Sequence, residues 1–432
     1  MKSDKNRNNH FRCTVLAAVL LSIQAGFGQP QVTRLSPPLL DSLLQYNQGV
    51  QAAYTKFQSR AAEVPAHGAL PDPQLEVSTS LSPLETRNGP VTNQVMLGQK
   101  FPLWGKLKRE RSLATLQADI AWQDYRRTVV STTFEMTKAW AEYVKLSRSL
   151  EILSHYLEDL EAFQNVALTH YSTGQGNTQH PVLKLQIEQS LIQSKANTLK
   201  GQLEAATHRL GALFNGHFQP ADFSASWTEY SVDHTEQEWL DLARQVNPNL
   251  QTDRIREQIA ILMQELNQRK NYPDLVAGMT WSLVGDTDLG GAVESGKDAL
   301  GVKLGINLPL WLNRNAARVE AARINGKATQ LASTESWNQV QATIQSQLQV
   351  LVEIEKNYQL YQKNLLPESR QMLASAYSAY ETGKISFLDV LDSERMTFTV
   401  QLEFEAVKAR RTVARAKLLK AVGLPLNGEN HD

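Results

Sequence analysis

Cysteine is almost absent from this chain of 432 residues: Cys13 is the only one. That excludes an internal disulfide, a cysteine-rich zinc site and a thiol redox pair. Net charge is absent too. Lys plus Arg is 44 and Asp plus Glu is 44, so composition gives no support for a nucleic-acid partner. After residue 28 no apolar run approaches the length of a membrane-crossing helix, so any crossing of a bilayer has to be made by strands. The chain has no phosphate-cradling loop of the Walker type, and its nine His and seven Met are scattered. No His-x-x-x-His pair or nucleophile motif stands in supporting context, so no enzyme activity, no cofactor and no metal site is expected. Proline and glycine are missing from Lys106 to Tyr171. A helix of that length would extend roughly 100 Å.

What is present is present nearly twice. LGQKFPLWGKLKRER surrounds Trp104, and LGINLPLWLNRNAAR surrounds Trp311. HYSTGQGNTQHPVLKLQ is followed later by AYETGKISFLDVLDSER. Both pairs recur in the same order about two hundred residues apart, which makes the chain a duplication of one structural unit.

Ahead of the first unit, residues 1–28 read as a secretory signal. Lys2, Lys5, Arg7 and Arg12 form a basic region, Cys13 to Phe27 is mostly apolar, and Gly26 and Gly28 suit a cleavage site. The mature chain is expected to begin near Gln29. The alternative is an N-terminal membrane anchor. Cys13 precedes the apolar run, which is the wrong place for a lipoprotein cleavage site.

The first unit is expected over 29–215 and the second over 236–424, joined by a polar linker at 216–235 and followed by a tail at 425–432. A helical pattern from Leu39 to about Ala62 is broken by Pro65, Gly68, Pro71 and Pro73. Strands are expected at about 74–83 and 93–102, because Leu75, Val77, Thr79 and Leu81 alternate with polar residues and Val95, Leu97 and Phe101 share a face. In the second unit strands are expected at about 274–284 and 300–309. Leu275, Ala277, Met279, Trp281 and Leu283 lie on one face of the first, and Leu300, Val302, Leu304, Ile306 and Leu308 on one face of the second. Turns or loops are expected at 83–92 and 285–299, the second rich in glycine and charge.

Each unit then carries a long helix (about 105–171 and 314–381) and a return helix (about 180–214 and 387–422). Leu146, Leu150, Leu153, Leu157 and Leu160 step by four and three, a heptad seam. Leu199, Leu203, Ala206, Leu210 and Leu213 repeat that spacing on the return, and Leu351, Ile354, Tyr358, Tyr361 and Leu365 in the second unit. Pro367 interrupts the second long helix where the first has Glu158. It marks either a tolerated local bend or a flexible point above the tip.

Alternating strands suit a soluble sheet packed on helices as well as a membrane sheet. If the strands are in lipid, they must close into a barrel, and four strands are too few. Two copies would give eight strands and three would give twelve. The inward faces carry small polar residues that suit a wide, wet lumen, which favours three. Trp104 and Trp311 would then be interface anchors.

These junctions and tips resemble the TolC-type outer-membrane factors, the exit ducts of tripartite efflux pumps and type I secretion systems. YETGKISFLDVLDSER is the strongest single element, and YSTGQGNTQHPVLKLQ is more like the pump outer-membrane factors. The resemblance covers nearly all of the expected mature chain. It implies a mainly α fold with a membrane β-barrel portion: a homotrimer whose twelve-stranded barrel lies in the outer membrane and continues as a periplasmic α-helical barrel. It implies a periplasmic adaptor and an inner-membrane exporter as partners. It makes the loops at 83–92 and 285–299 extracellular, and the tip turns an adaptor contact: Tyr171, Thr173 and Gly174 in one unit, Tyr380, Thr382, Gly383 and Lys384 in the other. Simple capping of helical hairpins by the two glycines is the plainer reading.

The resemblance also implies that Asp389 and Asp392 line the periplasmic entrance as stacked carboxylate rings. At i and i+3 they share a helix face, which an ordinary solvated acidic surface would also show. His180 and Leu183 stand at the aligned places of the first unit. Ile385 stands where some relatives carry a gate arginine. A structural coiled-coil envelope protein would explain the heptads, but not the two alternating hairpins.

Overall fold

The computed structural model describes residues 37–172, 179–219, 234–287 and 295–425. The expected signal segment, the tip residues Thr173 and Gly174, most of the 216–235 linker and the end of the tail lie outside them. Within them the order is α1 (Pro37–Tyr46), α2 (Gln48–His67), β1 (Gln74–Thr86), β2 (Gly89–Phe101), α3 (Lys106–Ser172), α4 (His180–Leu213), α5 (Glu236–Val246), α6 (Pro248–Arg269), β3 (Leu275–Val284), β4 (Ala299–Ile306), α7 (Leu312–Leu360), a π-helical stretch Tyr361–Leu365, α8 (Leu366–Glu381) and α9 (Phe387–Val422).

The duplication therefore extends further back than the strands: α1–α2 and α5–α6 are equivalent short pairs. An asparagine caps the second helix of each. Asn47 accepts the Val50 N–H (3.0 Å) and donates its amide to Leu213 O (2.8 Å). Asn247 accepts the N–H groups of Asn249 and Leu250 and donates to Ala421 O (2.8 Å). Each side chain thus starts a helix and ties it to the far end of its own unit's return helix, serving two sets of orphan backbone groups at once. Pro65 does not end α2, which runs on to His67. Lying in the last turn, it forfeits little of the helix ladder.

The four strands form one antiparallel sheet in the order β1-β2-β3-β4. The register places Leu75 and Val77 beside Leu97 and Val95, these beside Met279 and Trp281, and these beside Val302 and Leu300. One face is therefore a continuous apolar row across both units, and it is exposed: Leu75, Val77, Met279, Leu300, Val302 and Leu304 are all open to the surroundings. Where β2 crosses β3, Gly98 opposes Gly278, and a Cβ on Gly278 would stand 2.9 Å from Leu97 O. Only glycine allows that approach. The turn expected over 83–92 is much shorter. Both strands run on to a two-residue connection, Arg87-Asn88, and the turn-forming Pro83 falls in a register shift between Thr79 and Leu84. A bulge tolerates a proline that cannot donate to the ladder.

At the other end of the hairpins the two units are pinned together. Lys106 Nζ donates to Asp274 Oδ1 (2.6 Å) and to Tyr272 O (2.7 Å), and both charged side chains are buried. The indole of Trp104 donates to Pro273 O (2.9 Å), and Asn307 accepts the Asp274 N–H. These bonds fix where strands become helices.

Below the sheet, α3 packs on α2, α4, α6 and α9, and α7 packs on α6 and α9. Leu146, Leu153 and Leu160 of the α3 seam are fully buried, as are Leu210 of α4 and Ile344 of α7. One apolar cluster, with Leu43, Met136, Phe214, Trp239 and Leu418, holds the middle; a second, with Leu153, Tyr156, Leu185, Leu391 and Phe398, holds the lower end. Among the described residues no helix is long and apolar enough to cross a membrane.

Candidate functional site at the helical tips

The second tip is built by the turn between α8 and α9. Lys384 N donates to Ala379 O and Gly383 N to Tyr380 O, each at 2.9 Å, with Gly383 at φ +68. This is a Schellman termination, which needs the left-handed conformation that glycine adopts without strain. Thr382 Oγ1 donates to Ser378 O (3.1 Å). Ser386 then opens α9 in an extended conformation, and Asp389 Oδ2 accepts both its N–H and its hydroxyl at 2.8 Å. These bonds from Ser386 hold the Asp389 carboxyl below its ordinary range. Asp389 is thus a helix-capping residue whatever else it does.

Asp392 is exposed, and Lys184 of α4 donates to it at 3.3 Å. One turn higher the same two helices meet again. Arg395 donates through Nε (3.1 Å) and through a terminal nitrogen to the carboxylate of Glu188, which is buried. Tyr156 of α3 donates its hydroxyl to Glu188 at 3.2 Å and stacks on Phe398 at 4.3 Å. Burial and then the Glu188 charge push the Tyr156 hydroxyl upward, so it stays a donor.

On the opposite side of α9, Glu394 is buried against Tyr377 of α8, whose hydroxyl donates to it at 3.4 Å, and faces Asp159 of α3. His155 and Arg370 line the same cavity. Phe163, Tyr377, Tyr380 and Phe387 form a chain of ring contacts at 5.5–6.0 Å that ties the three helices just above the turn.

Higher still, Pro367 follows the π-helical stretch Tyr361–Leu365, in which Leu366 N reaches back to Tyr361 O. The wider turn absorbs the missing proline donor, so the helix continues instead of breaking. Glu355 accepts two bonds from Arg411, both 2.8 Å, and Arg411 lies over the Tyr358 ring at 4.0 Å, bracing the stretch from α9.

The structure therefore places Tyr380, Thr382, Gly383 and Lys384 at the end of α8 and in the turn after it, and Asp389 and Asp392 in the first two turns of α9. Tyr171 lies in the last turn of α3. Trp104 and Trp311 are exposed at the far end, beside the strand–helix junctions. The sequence reading did not single out Glu188, Arg395, Glu394, Asp159 or Tyr377. A signal for the first two existed: Lys184 and Glu188 at i and i+4 mirror Asp392 and Arg395 at i and i+3 in opposite charge order.

The family profile described as outer membrane efflux protein matches residues 39–216 and 239–424. The chain belongs to the outer membrane efflux protein family. Residues 217–238 lie between its two matched segments. Solved structures agree on the fold. CusC superposes with a TM-score of 0.72 at 16% identity, covering 92% of this chain and 99% of that one. The open state of MtrE from Neisseria gonorrhoeae gives 0.71 at 16%, covering 94% and 99%. VceC from Vibrio cholerae gives 0.69 at 17%, covering 90% and 96%. No curated protein matches by sequence. The TolC-type resemblance is borne out, and this outer membrane efflux protein has the mainly α, part-barrel fold it implied.

Proposed function

We propose that three copies of this efflux protein share one twelve-stranded barrel in the outer membrane and conduct substrates passively out of the cell. One observation carries the reading: among the described residues, a single copy ends in two unpaired sheet edges, β1 and β4, beneath a continuous exposed apolar face. Lipid tolerates neither an open edge nor a four-stranded barrel, so copies must pair edge to edge. The apolar row faces lipid, Trp104 and Trp311 anchor at its border, and the connections at 87–88 and 285–298 face outside the cell. The helices extend through the periplasm. Their tips, with Tyr171, Thr173, Gly174, Tyr380, Thr382, Gly383 and Lys384, meet a periplasmic adaptor joined to an inner-membrane exporter, which supplies the energy. Pro367 and its π-turn are the point at which the second long helix gives. A structural coiled-coil role leaves the exposed apolar sheet without a purpose.

In detergent, light scattering corrected for bound detergent should give the mass of three chains; a stable single chain would end the reading. Asp389 and Asp392 line the entrance in this account, as two acidic rings that favour cations. Asp389→Ala with Asp392→Ala should lower cation preference and weaken block by multivalent cations in bilayer recordings. Unaltered selectivity in a variant of normal melting temperature would remove both from the entrance.

A further inference from the structure

In the middle of the molecule the helices form a row: α4 packs on α3, α3 on α9, and α9 on α7. One side of this row is covered. Met136, Leu210, Ile344 and Leu418 join Leu43 of α1 and Trp239 of α5 in one apolar cluster, so α1 and α5 lie on that side. The other side holds a groove of about 1000 Å³ to which all four helices of the row contribute. Its α3 positions include Lys138, Glu142 and Lys145. At 100° per residue these turn away from Met136, Trp140 and Tyr143, which pack on the covered side.

The groove has two chemically distinct parts. Ala139 and Ala141 of α3 and Ala409 and Ala414 of α9 line it, and side chains this small leave depth between the helices. Leu213, Val350, Ile354 and Val413 complete the apolar part. The charged part is five cations, Lys138, Lys145, Arg209, Arg410 and Lys417, against two carboxylates, Glu135 and Glu142. Glu142 is taken by Lys145 at 2.7 Å, and Arg410 stands 3.8 Å from Glu403, which lies outside the groove. Lys138, Arg209 and Lys417 come from three different helices, are exposed, and have no ion pair among the described residues. Asp392 lies roughly 27 Å along α9 from Arg410, several screening lengths away, so the acidic tips do not cancel this charge.

We infer that this groove binds amphiphilic organic anions. An apolar body of drug size lies on the alanine floor, and its sulfonate or carboxylate is held among Lys138, Arg209 and Lys417. Charge and shape together select this occupant. A neutral ligand would cover the cations without matching them, and a small inorganic anion would leave the apolar floor wet. A second copy of the chain meets this one at the sheet edges in the reading above, whereas the groove draws on all four helices of a single copy. The site is therefore complete within one chain. Its place on the wall of the passage rests on the assembly proposed above, and there it names a class of substrate.

The test uses the full chain in phosphatidylcholine nanodiscs. It is titrated with anilinonaphthalene sulfonate and with phenylnaphthylamine, the same ring system without the sulfonate, and the signal of empty nanodiscs is subtracted. The sulfonate should bind saturably, more weakly as salt is raised, and about tenfold more tightly than the neutral dye. Lys138→Gln with Arg209→Gln and Lys417→Gln alters only exposed side chains, so it should keep the parent's melt while bringing the sulfonate down to the level of the neutral dye. Equal affinity of the parent for the two dyes at low salt, or a sulfonate preference that the triple variant retains, would overturn the groove. In bilayer recordings the sulfonate should reduce the current of the parent and not that of the triple variant. Sulfonate-dependent binding that leaves the current unchanged would keep the site and overturn its place in the passage. Normal conductance with no preference for the sulfonate would overturn the site and leave the conduit standing.

Discussion

Replacing Arg395 by alanine is expected to loosen the tips more than any other single change there. Glu188 is only 5% exposed, and Arg395 supplies two of the three bonds to its carboxylate. Without the guanidinium, Tyr156 alone faces a buried charge. Arg395 itself is 44% exposed, so solvent screens part of the loss, and removing it costs roughly 1–2 kcal/mol, less than for a pair buried on both sides. Lys184→Ala removes the neighbouring pair with Asp392, but that pair is solvent-exposed and should cost less than about 1 kcal/mol. Hydrogen exchange separates the two. Amides of α4 and α9 around Glu188 and Arg395 should exchange markedly faster in Arg395→Ala and nearly normally in Lys184→Ala. Equal protection in both would mean that the Arg395–Glu188 pair does not hold the two return helices together.

Raising the pH through neutrality is expected to weaken the packing of α9 on α3 and α8. Burial first, and then the facing Asp159 carboxylate, push Glu394 up to about 7 from an ordinary value of 4.5. Between those values the folded chain holds a proton that the unfolded chain has released. Stability is therefore full below about pH 4.5, falls as the pH rises through that window, and levels off above about 7. The loss is roughly 2–3 kcal/mol when Glu394 is fully charged. Tyr377 donates to the carboxylate and pulls the other way, Asp159 opposes the charge, and His155 and Arg370 line the same cavity. Glu394→Gln keeps the shape without the titration. It should melt several degrees higher than the parent at pH 8 and equally at pH 5; a parallel pH dependence in both proteins would place the titration elsewhere.

The large features were legible because they depend on local rules. A stretch from Lys106 to Tyr171 without proline or glycine can hardly be anything but one helix, and α3 spans Lys106–Ser172. Period-two alternation set the strand faces, and the register confirms that Leu97, Met279 and Val302 share one. What escaped depended on partners distant in sequence. Pro83 is a turn residue by propensity, yet it sits in a bulge because strand pairing on both sides outweighs it. Pro367 suggested a bend, but the π-turn before it reflects a choice among hydrogen-bond spacings that composition does not reveal. Glu394 looks like any glutamate in DSERMTF until Asp159 and Tyr377, from two other helices, close over it. Asp389 was read for its charge, whereas its bonds to Ser386 show that it also starts a helix.

The central claim is that a chain unable to close a pore by itself makes one by assembly. Single-channel recording after insertion of the purified three-chain species into a planar bilayer tests this most directly. Discrete, long-lived conductance steps, absent from the detergent-dissociated single chain, are predicted. A folded three-chain assembly that inserts and leaves the bilayer insulating would contradict it.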